Sequence, residues 1–187
     1  MANKDSAFGL RAIGKVGQNR DNQGLSEYGI AASSTAIYQG DPIMMAATGK
    51  IVVGTAAAVL LGSLNGVFFT DATTSKPTYA NHLNASNAAT DIVGFVSDDP
   101  YERFEIQSDA ALTAAEVGLN ADIVYAAGST PNFISKVELD HSDLKTAIAQ
   151  LRVIGISKDP ENNEAGAVDV NAVVIINEHF LKGTVGI

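Results

Sequence analysis

The 187-residue sequence contains no cysteine and no tryptophan. Without cysteine the chain has no disulfide bridge, no cysteine-ligated zinc or iron–sulfur cluster, and no cysteine nucleophile. No run of apolar residues approaches the roughly 20 that a membrane-spanning helix needs. The first residues also lack the apolar core of a signal peptide, which predicts synthesis in the cytoplasm without a secretion signal. Stability must therefore come from apolar burial and from any oligomer that the chain forms.

Charged residues are also scarce: they make up 18% of the chain, below the ~25% that is usual in globular proteins. A surface poor in charge is typical of a protein covered by partners, although a chain rich in alanine, glycine and asparagine gives the same figure. Residues 1–34 carry four basic and three acidic side chains, whereas residues 35–187 carry eight basic and eighteen acidic ones. Because an acidic body repels phosphate, the sequence predicts no direct binding of nucleic acid.

Catalytic motifs are missing as well. His82, His141 and His179 are the three histidines, and none has the His-x-x-x-His or His-Glu-x-x-His spacing of metal ligands. The sequence has no Gly-x-Ser-x-Gly nucleophile elbow and no glycine-rich phosphate loop. Aromatic residues make up 6% of the chain, which is poor material for a sugar-stacking cleft. These absences predict a protein that is not an enzyme and that uses no cofactor.

Two acidic clusters are the candidates for a metal site. They are Asp98, Asp99 and Glu102, and Asp159, Glu161 and Glu164. Hard cations such as calcium take several carboxylate oxygens as ligands. Neither cluster has the spacing of a calcium-binding loop, so solvated turn carboxylates are the favoured interpretation and we predict no bound metal.

Residues 1–34 differ from the rest of the chain in their glycine spacing. Five glycines interrupt this segment and isolate its apolar residues, so neither a helical nor a strand period survives. Such a segment cannot bury a core of its own, and it is either disordered or ordered on a neighbour. We expect an extended arm that docks on a neighbouring subunit. Its expected interface residues are Phe8, Leu10, Arg11, Ile13, Lys15, Val16, Arg20, Leu25 and Tyr28.

Residues 35–187 form a body in which short apolar runs alternate with turn residues. Residues 51–53 follow a tight turn, and residues 103–107 alternate polar and apolar side chains as a half-buried strand does. Thr113 and Glu116 fit a capping box, and Ser142 is a candidate cap for a second short helix. The sequence predicts a mainly β fold, a small barrel or sandwich that is jelly-roll-like or β-tulip-like, with the extended N-terminal arm and one or two short helices.

An internal similarity leaves the organisation of the body open. Residues 94–100 and 155–160 are each an apolar strand that ends in Ser-x-Asp-Pro. Either the body contains two related β-units, or turn chemistry repeats by coincidence, because Asp and Pro favour turns. Residues 70–91 are polar, and a loop of that length is typically functional or covered by a partner.

Several segments, taken in order, resemble small virion proteins of tailed phages. They read AIYQGD (36–41), GKIV (49–52), GVFFTD (66–71), DDP (98–100), FEIQ (104–107), LRVIG (151–155) and IINEH (175–179). The resemblance covers residues 35–180 and depends on the order and spacing of the segments. It implies a capsid decoration protein, also called a cement or head-stabilising protein.

The resemblance also implies partners and a location. Such proteins are made in the host bacterial cytoplasm, bind the outer surface of the head and join neighbouring major capsid proteins, often as trimers and often through an N-terminal arm. The alternatives are another virion component, namely a major capsid, tail or fibre protein, and a β-domain that binds or hydrolyses carbohydrate. The chain is short for a major capsid protein and has no long helix pattern, so we rank that alternative lower.

Overall fold

A computed structural model describes residues 3–17, 24–32 and 34–183. The strands are β1 (Arg11–Lys15), β2 (Ser26–Gly29), β3 (Ile37–Tyr38), β4 (Pro42–Met45), β5 (Ile51–Val53), β6 (Gly62–Thr70), β7 (Pro77–Ala80), β8 (His82–Leu83), β9 (Val93–Ser97), β10 (Glu102–Gln107), β11 (Asn120–Ala121), β12 (Ile123–Val124), β13 (Glu138–Leu139), β14 (Leu151–Ile156) and β15 (Asn171–Ile176). Three 3-10 helices span Ala114–Glu116, His141–Asp143 and Phe180–Lys182. The predicted mainly β fold is confirmed. Within the described ranges, no helix is long and apolar enough to cross a membrane.

Two antiparallel sheets make up most of the molecule. The first sheet has the order β1-β10-β15-β14-β11. The second sheet has the order β2-β9-β6-β4-β5, and β7 pairs with the far half of the long strand β6. The β-branched run of β15 lies between β10 and β14, which is the central position that such a run favours.

Each sheet curls around its own apolar core. A parallel bridge between Ile30 and Ile51 joins the two ends of the second sheet, and a bridge between Ser108 and Leu139 joins β10 to β13. Phe104, Ile106, Val153 and Val174 belong to the core of the first sheet, together with Leu10, Leu60, Leu112, Ala121, Ile123, Val137, Leu139, Leu151, Val170, Ala172 and Ile176. The core of the second sheet consists of Ile30, Ile37, Ile43, Ile51, Leu61, Leu64, Val67, Phe69, Leu83, Ala89, Ile92 and Val96. Each fully buried aliphatic or aromatic side chain of this size contributes about 1.5–3 kcal/mol.

The two cores are also connected to each other. Leu60 precedes β6 of the second sheet but packs into the core of the first, whereas Phe180 follows β15 of the first sheet and packs against the core of the second. The backbone N–H of Phe180 donates to the carbonyl of Leu60 at 2.8 Å, and that of Leu60 donates to the carbonyl of Glu178 at 3.0 Å. This exchange of apolar side chains makes the two sheets one packed body.

The prediction that residues 1–34 form an arm separate from the body is wrong for the described residues. β1 pairs with β10 in the first sheet, and β2 pairs with β9 in the second. Because β9 continues into β10 through a short turn, the two pairs form one antiparallel ribbon that passes from one sheet to the other. We call β1, β2, β9 and β10 the ribbon. Leu10, just before β1, is only 1% exposed.

The prediction of a separate arm fails because one of its glycines is needed for a close packing contact with the body. Gly9 has φ +72°, and a Cβ placed on it would lie 2.2 Å from the carbonyl oxygen of Gly40. This close approach lets the backbone N–H of Leu10 donate to the same carbonyl at 2.8 Å. A glycine that indicates flexibility in the sequence is therefore required by a contact between distant segments.

Residues 3–6 are also attached to the first sheet, by two buried amide side chains. The amide nitrogens of Gln107 and Asn162 both donate to the carbonyl of Lys4, each at 2.8 Å, and both donate to the carbonyl of Asp169. The backbone N–H of Ser6 donates to the Gln107 side chain at 2.9 Å. The start of the described chain is thus held by its own body.

Of the two short helices predicted from the sequence, one forms and the other does not. The capping box forms: the backbone N–H of Thr113 donates to the Glu116 carboxylate at 2.6 Å, and a 3-10 helix follows. The helix expected to start at Ser142 does not form, since Ser142 lies inside a three-residue helix. Two backbone hydrogen bonds of 2.9 Å between Asn120 and Lys145 hold the next residues extended.

The polar stretch of residues 70–91 is not the loop that the sequence predicts. It contains β7, which forms a hairpin with β6, and β8, which pairs with β3. The hairpin turn is organised by Asp71, whose carboxylate accepts the backbone N–H groups of Thr73 and Thr74 at 3.0 and 2.7 Å. Local hydrogen bonds of this kind give polar residues an ordered turn without a partner.

Candidate interaction surface

The residues predicted for the arm divide into an exposed and an internal group. Ile13, Val16 and Leu25 are large apolar side chains that remain between 42% and 47% exposed on or next to the ribbon. Val16 lies beside another exposed side chain, because its backbone N–H donates to the carbonyl of Tyr101 at 2.9 Å. Arg20 lies outside the described residues.

Three of the predicted interface residues make polar contacts within the chain. Arg11 pairs with the buried Glu105, to which its Nε donates at 3.1 Å. Lys15 Nζ donates to Asp99 at 2.6 Å, and the Tyr28 hydroxyl donates to Asp98 at 2.5 Å. Phe8 lies under the guanidinium of Arg11, 4.5 Å from ring centroid to charge centre. Together with the buried Leu10, these side chains hold the segment on the body.

The acidic turn between β9 and β10 connects the ribbon. Asp98 accepts hydrogen bonds from Ser26 at 2.8 Å and from Tyr28, both on β2, while Asp99 accepts from Lys15 on β1. The hydrogen bond from Lys15 lowers the pKa of Asp99. Burial, and then the bond to Asp98, raises the pKa of Tyr28 to about 12. These turn carboxylates therefore contact ribbon side chains and are not the solvated groups that we expected.

A different set of carboxylates comes together in the fold. Oxygens of Asp5, Glu138 and Asp169 all lie within 4.8 Å of one another, and within the described ranges this is the one acidic or histidine group of metal-site dimensions. Burial raises the pKa of Glu138, and the charges of Asp109, Asp5 and Asp169 raise it further. No sequence spacing reveals this group, because its members come from three distant segments. The two clusters proposed from spacing do not form such a group.

A pocket of about 400 Å³ opens where the two sheets meet, and we call it the junction pocket. Phe8 and Leu10 line it from the segment before β1, Leu25 from the position just before β2, Leu64 from β6, and Ile134 from the loop before β13. Leu25 and Ile134 are exposed at its edge. The junction pocket is thus a depression of mixed polarity that includes four of the residues predicted for the interface, namely Phe8, Leu10, Arg11 and Leu25.

A second feature lies on the outward face of the second sheet. Phe68, Tyr79 and Phe95 form an aromatic row across β6, β7 and β9, with ring centroids 4.8 Å apart for the first pair and 5.8 Å for the second. Tyr79 is 75% exposed. No spacing in the sequence predicts this row, because its three members are aligned by strand register, which pairs Phe68 with Tyr79 across the hairpin.

The three histidines occupy unrelated environments. The ring of His82 stacks on Phe133 with centroids 3.7 Å apart, and burial lowers its pKa. His141 Nε2 lies 3.2 Å from Glu116 Oε1. His179 is buried, which lowers its pKa to about 4, and its Nδ1 accepts the backbone N–H of Leu181. None of these contacts pairs a histidine with a serine hydroxyl in the described part of the chain.

Comparison of the chain with protein families, curated proteins and solved structures found no significant match.

Proposed function

We propose that this chain is a structural virion protein, a capsid decoration or cement protein that binds the outer surface of a phage head. In this role it clamps neighbouring major capsid proteins and stabilises the expanded shell. The observation that carries the proposal is the set of exposed apolar side chains Ile13, Val16 and Leu25, which lie on or beside the ribbon, with Leu25 at the edge of the junction pocket. These residues keep the contact role expected from the sequence, but on a strand-built surface instead of an arm.

A preformed surface suits a clamp. Side chains held on paired strands lose less conformational freedom on binding than side chains of a disordered arm, so less of the contact energy is spent on ordering. A ligand that binds only the expanded lattice stabilises it by mass action. Repetition of the same contact over a shell gives avidity, and a homo-oligomer, for which we favour a trimer, would add to it.

The test is co-sedimentation with expanded empty heads of the virus that carries the gene. We expect the triple variant Ile13→Ser, Val16→Ser, Leu25→Ser to bind at least about tenfold more weakly, because each buried apolar side chain contributes on the order of 1.5 kcal/mol or more. The matched control is Val59→Ser, Ile148→Ser, Val168→Ser, which removes three exposed apolar side chains elsewhere.

Equal binding by the triple variant and the wild type would overturn the assignment of this surface, and failure of the wild type to bind heads would overturn the decoration role. Deleting residues 1–34 is not a useful test, because it removes β1, β2 and the buried Leu10, and we expect this loss to unfold the body.

A further inference from the structure

The aromatic row does not belong to the proposed clamp, and its geometry suggests a separate use. The Tyr79 ring is 75% exposed, yet it is held by Phe68 on one side and by Phe95 on the other, and it lies nearly parallel to Phe95 with an interplanar angle of 15°. A large exposed ring with a fixed orientation is a platform for a flat apolar surface.

An open depression of about 370 Å³ lies beside this platform. Tyr79 and Phe95 line it, and Gln39, Asn65 and Asn81 add amide side chains. The side-chain amides of Gln39 and Asn65 make no hydrogen bond within the described ranges, and both residues line the depression, so their donors and acceptors are available there. A stacking ring beside unengaged amides is the combination that fits a molecule with one apolar face and a hydroxylated edge.

The charge around the site further restricts the class of ligand that it can bind. Among the described residues, no charged side chain lines the depression. The carboxylate of Glu27 belongs to the same face, because Glu27 lies opposite Phe95 in the strand register. A carboxylate accepts hydroxyl hydrogen bonds but repels an anionic ligand, as does the net charge of −9.

We propose that the depression beside Tyr79 binds a neutral glycan. One sugar ring stacks its C–H face on Tyr79, and its hydroxyl groups exchange hydrogen bonds with the amides of Gln39 and Asn65. The low aromatic content of the chain does not oppose this site, because the fold brings three of the twelve aromatic residues onto one face. The depression shares Leu25 with the capsid contact, whereas the stacking ring of Tyr79 is not part of that contact.

Affinity electrophoresis of the full chain tests this site. The gels contain mannan, dextran or galactan as neutral polysaccharides, and hyaluronan as an anionic one. We expect at least one neutral polysaccharide to retard the wild-type protein and hyaluronan to leave its mobility unchanged. Tyr79→Ala should weaken the retardation at least about tenfold, whereas Tyr79→Phe keeps the stacking surface and should retain binding within about threefold.

Tyr101→Ala is the control, because Tyr101 is an exposed tyrosine that is not among the residues lining the depression. Thermal melting checks that all variants remain folded. No retardation by any of the neutral polysaccharides, or equal retardation of the wild type and Tyr79→Ala, would overturn the proposal. So would stronger retardation by hyaluronan. A change in oligomeric mass or in head binding by Tyr79→Ala, without a change in retardation, would identify the face as a protein interface instead.

Discussion

The two sheets differ in how many polar side chains their strands bury. The buried polar side chains on strands of the first sheet are Glu102, Glu105, Gln107, Asn120 and Asn171. Among the described residues, Ser63 is the one buried polar side chain on the strands of the second sheet. The second sheet instead places aromatic rings on its outward face. The first sheet thus uses its strands to hold other segments in place, and the second uses them to present a surface.

We call the first sheet the frame, because its strands hold other segments in place. A network of hydrogen bonds to buried polar side chains gives it this role. Glu105 accepts hydrogen bonds from Arg11 on β1, from Ser157 after β14, and from Asn171 on β15 at 3.2 Å. A buried carboxylate with several donors fixes the register of the segments that supply them, since any slip leaves a buried charge without partners. A sheet that holds the ribbon in this way gives the exposed apolar residues of the ribbon a defined position.

The largest effect is expected where the ribbon enters the frame. Gly9→Ala places a Cβ against the Gly40 carbonyl and also forces a left-handed backbone, so we expect a loss of about 3 kcal/mol in the free energy of unfolding. Gly17 has nearly the same φ, +71°, with no atom within 4 Å of an added Cβ. Gly17→Ala should therefore cost only about 1 kcal/mol, for the backbone alone.

Urea unfolding of the two alanine variants measures this difference. Similar losses for both would mean that the contact between residues 9 and 40 contributes nothing, and the ribbon would then be attached to the frame more weakly than the structure indicates.

The second prediction compares the sheets directly. Gln107→Leu removes an amide that bonds Ser6, Lys4 and Asp169. The backbone N–H of Ser6 loses its acceptor and the two carbonyls keep only the amide of Asn162, which should cost about 2–3 kcal/mol. Gln39→Leu, in the depression on the second sheet, removes an amide with no such partners and should change stability by no more than about 0.5 kcal/mol.

Equilibrium unfolding at one pH gives both values for the glutamine variants. An equal cost at the two positions would contradict the distinction between a frame and a presenting surface.

The sequence predicts the structural features that depend on residues close together along the chain. Strand 103–107 follows from alternation, and the capping box at Thr113 follows from a three-residue spacing, because both are local rules. The attachment of residues 1–34, the contact between Gly9 and Gly40, and the aromatic row all depend on segments far apart in sequence. A glycine needed for close approach and a glycine in a flexible arm give the same local pattern, so spacing alone led to the wrong interpretation.

The last prediction concerns pH and the segment that joins the sheets. Asp41 is fully buried before β4, and burial raises its pKa to about 6, although the backbone N–H of Tyr38 donates to it at 2.8 Å. Its folded-state pKa is thus above the unfolded value of 3.8, so the protonated form is favoured by folding. The stabilisation is fully present below pH 3.8 and is lost as the pH rises through about 6, a change on the order of 3 kcal/mol.

Asp41→Asn keeps an acceptor for Tyr38 and cannot ionise, so it isolates this contribution from that of the other carboxylates. Relative to the wild type, the variant should gain stability between pH 4 and pH 7, and the difference between the two proteins should be constant above that range. Urea unfolding at several pH values measures the difference. A constant difference across the whole range would show that the carboxyl group is solvated when ionised. The turn that carries it would then be looser than the rest of the junction, and the two sheets would be less firmly joined than their shared core residues indicate.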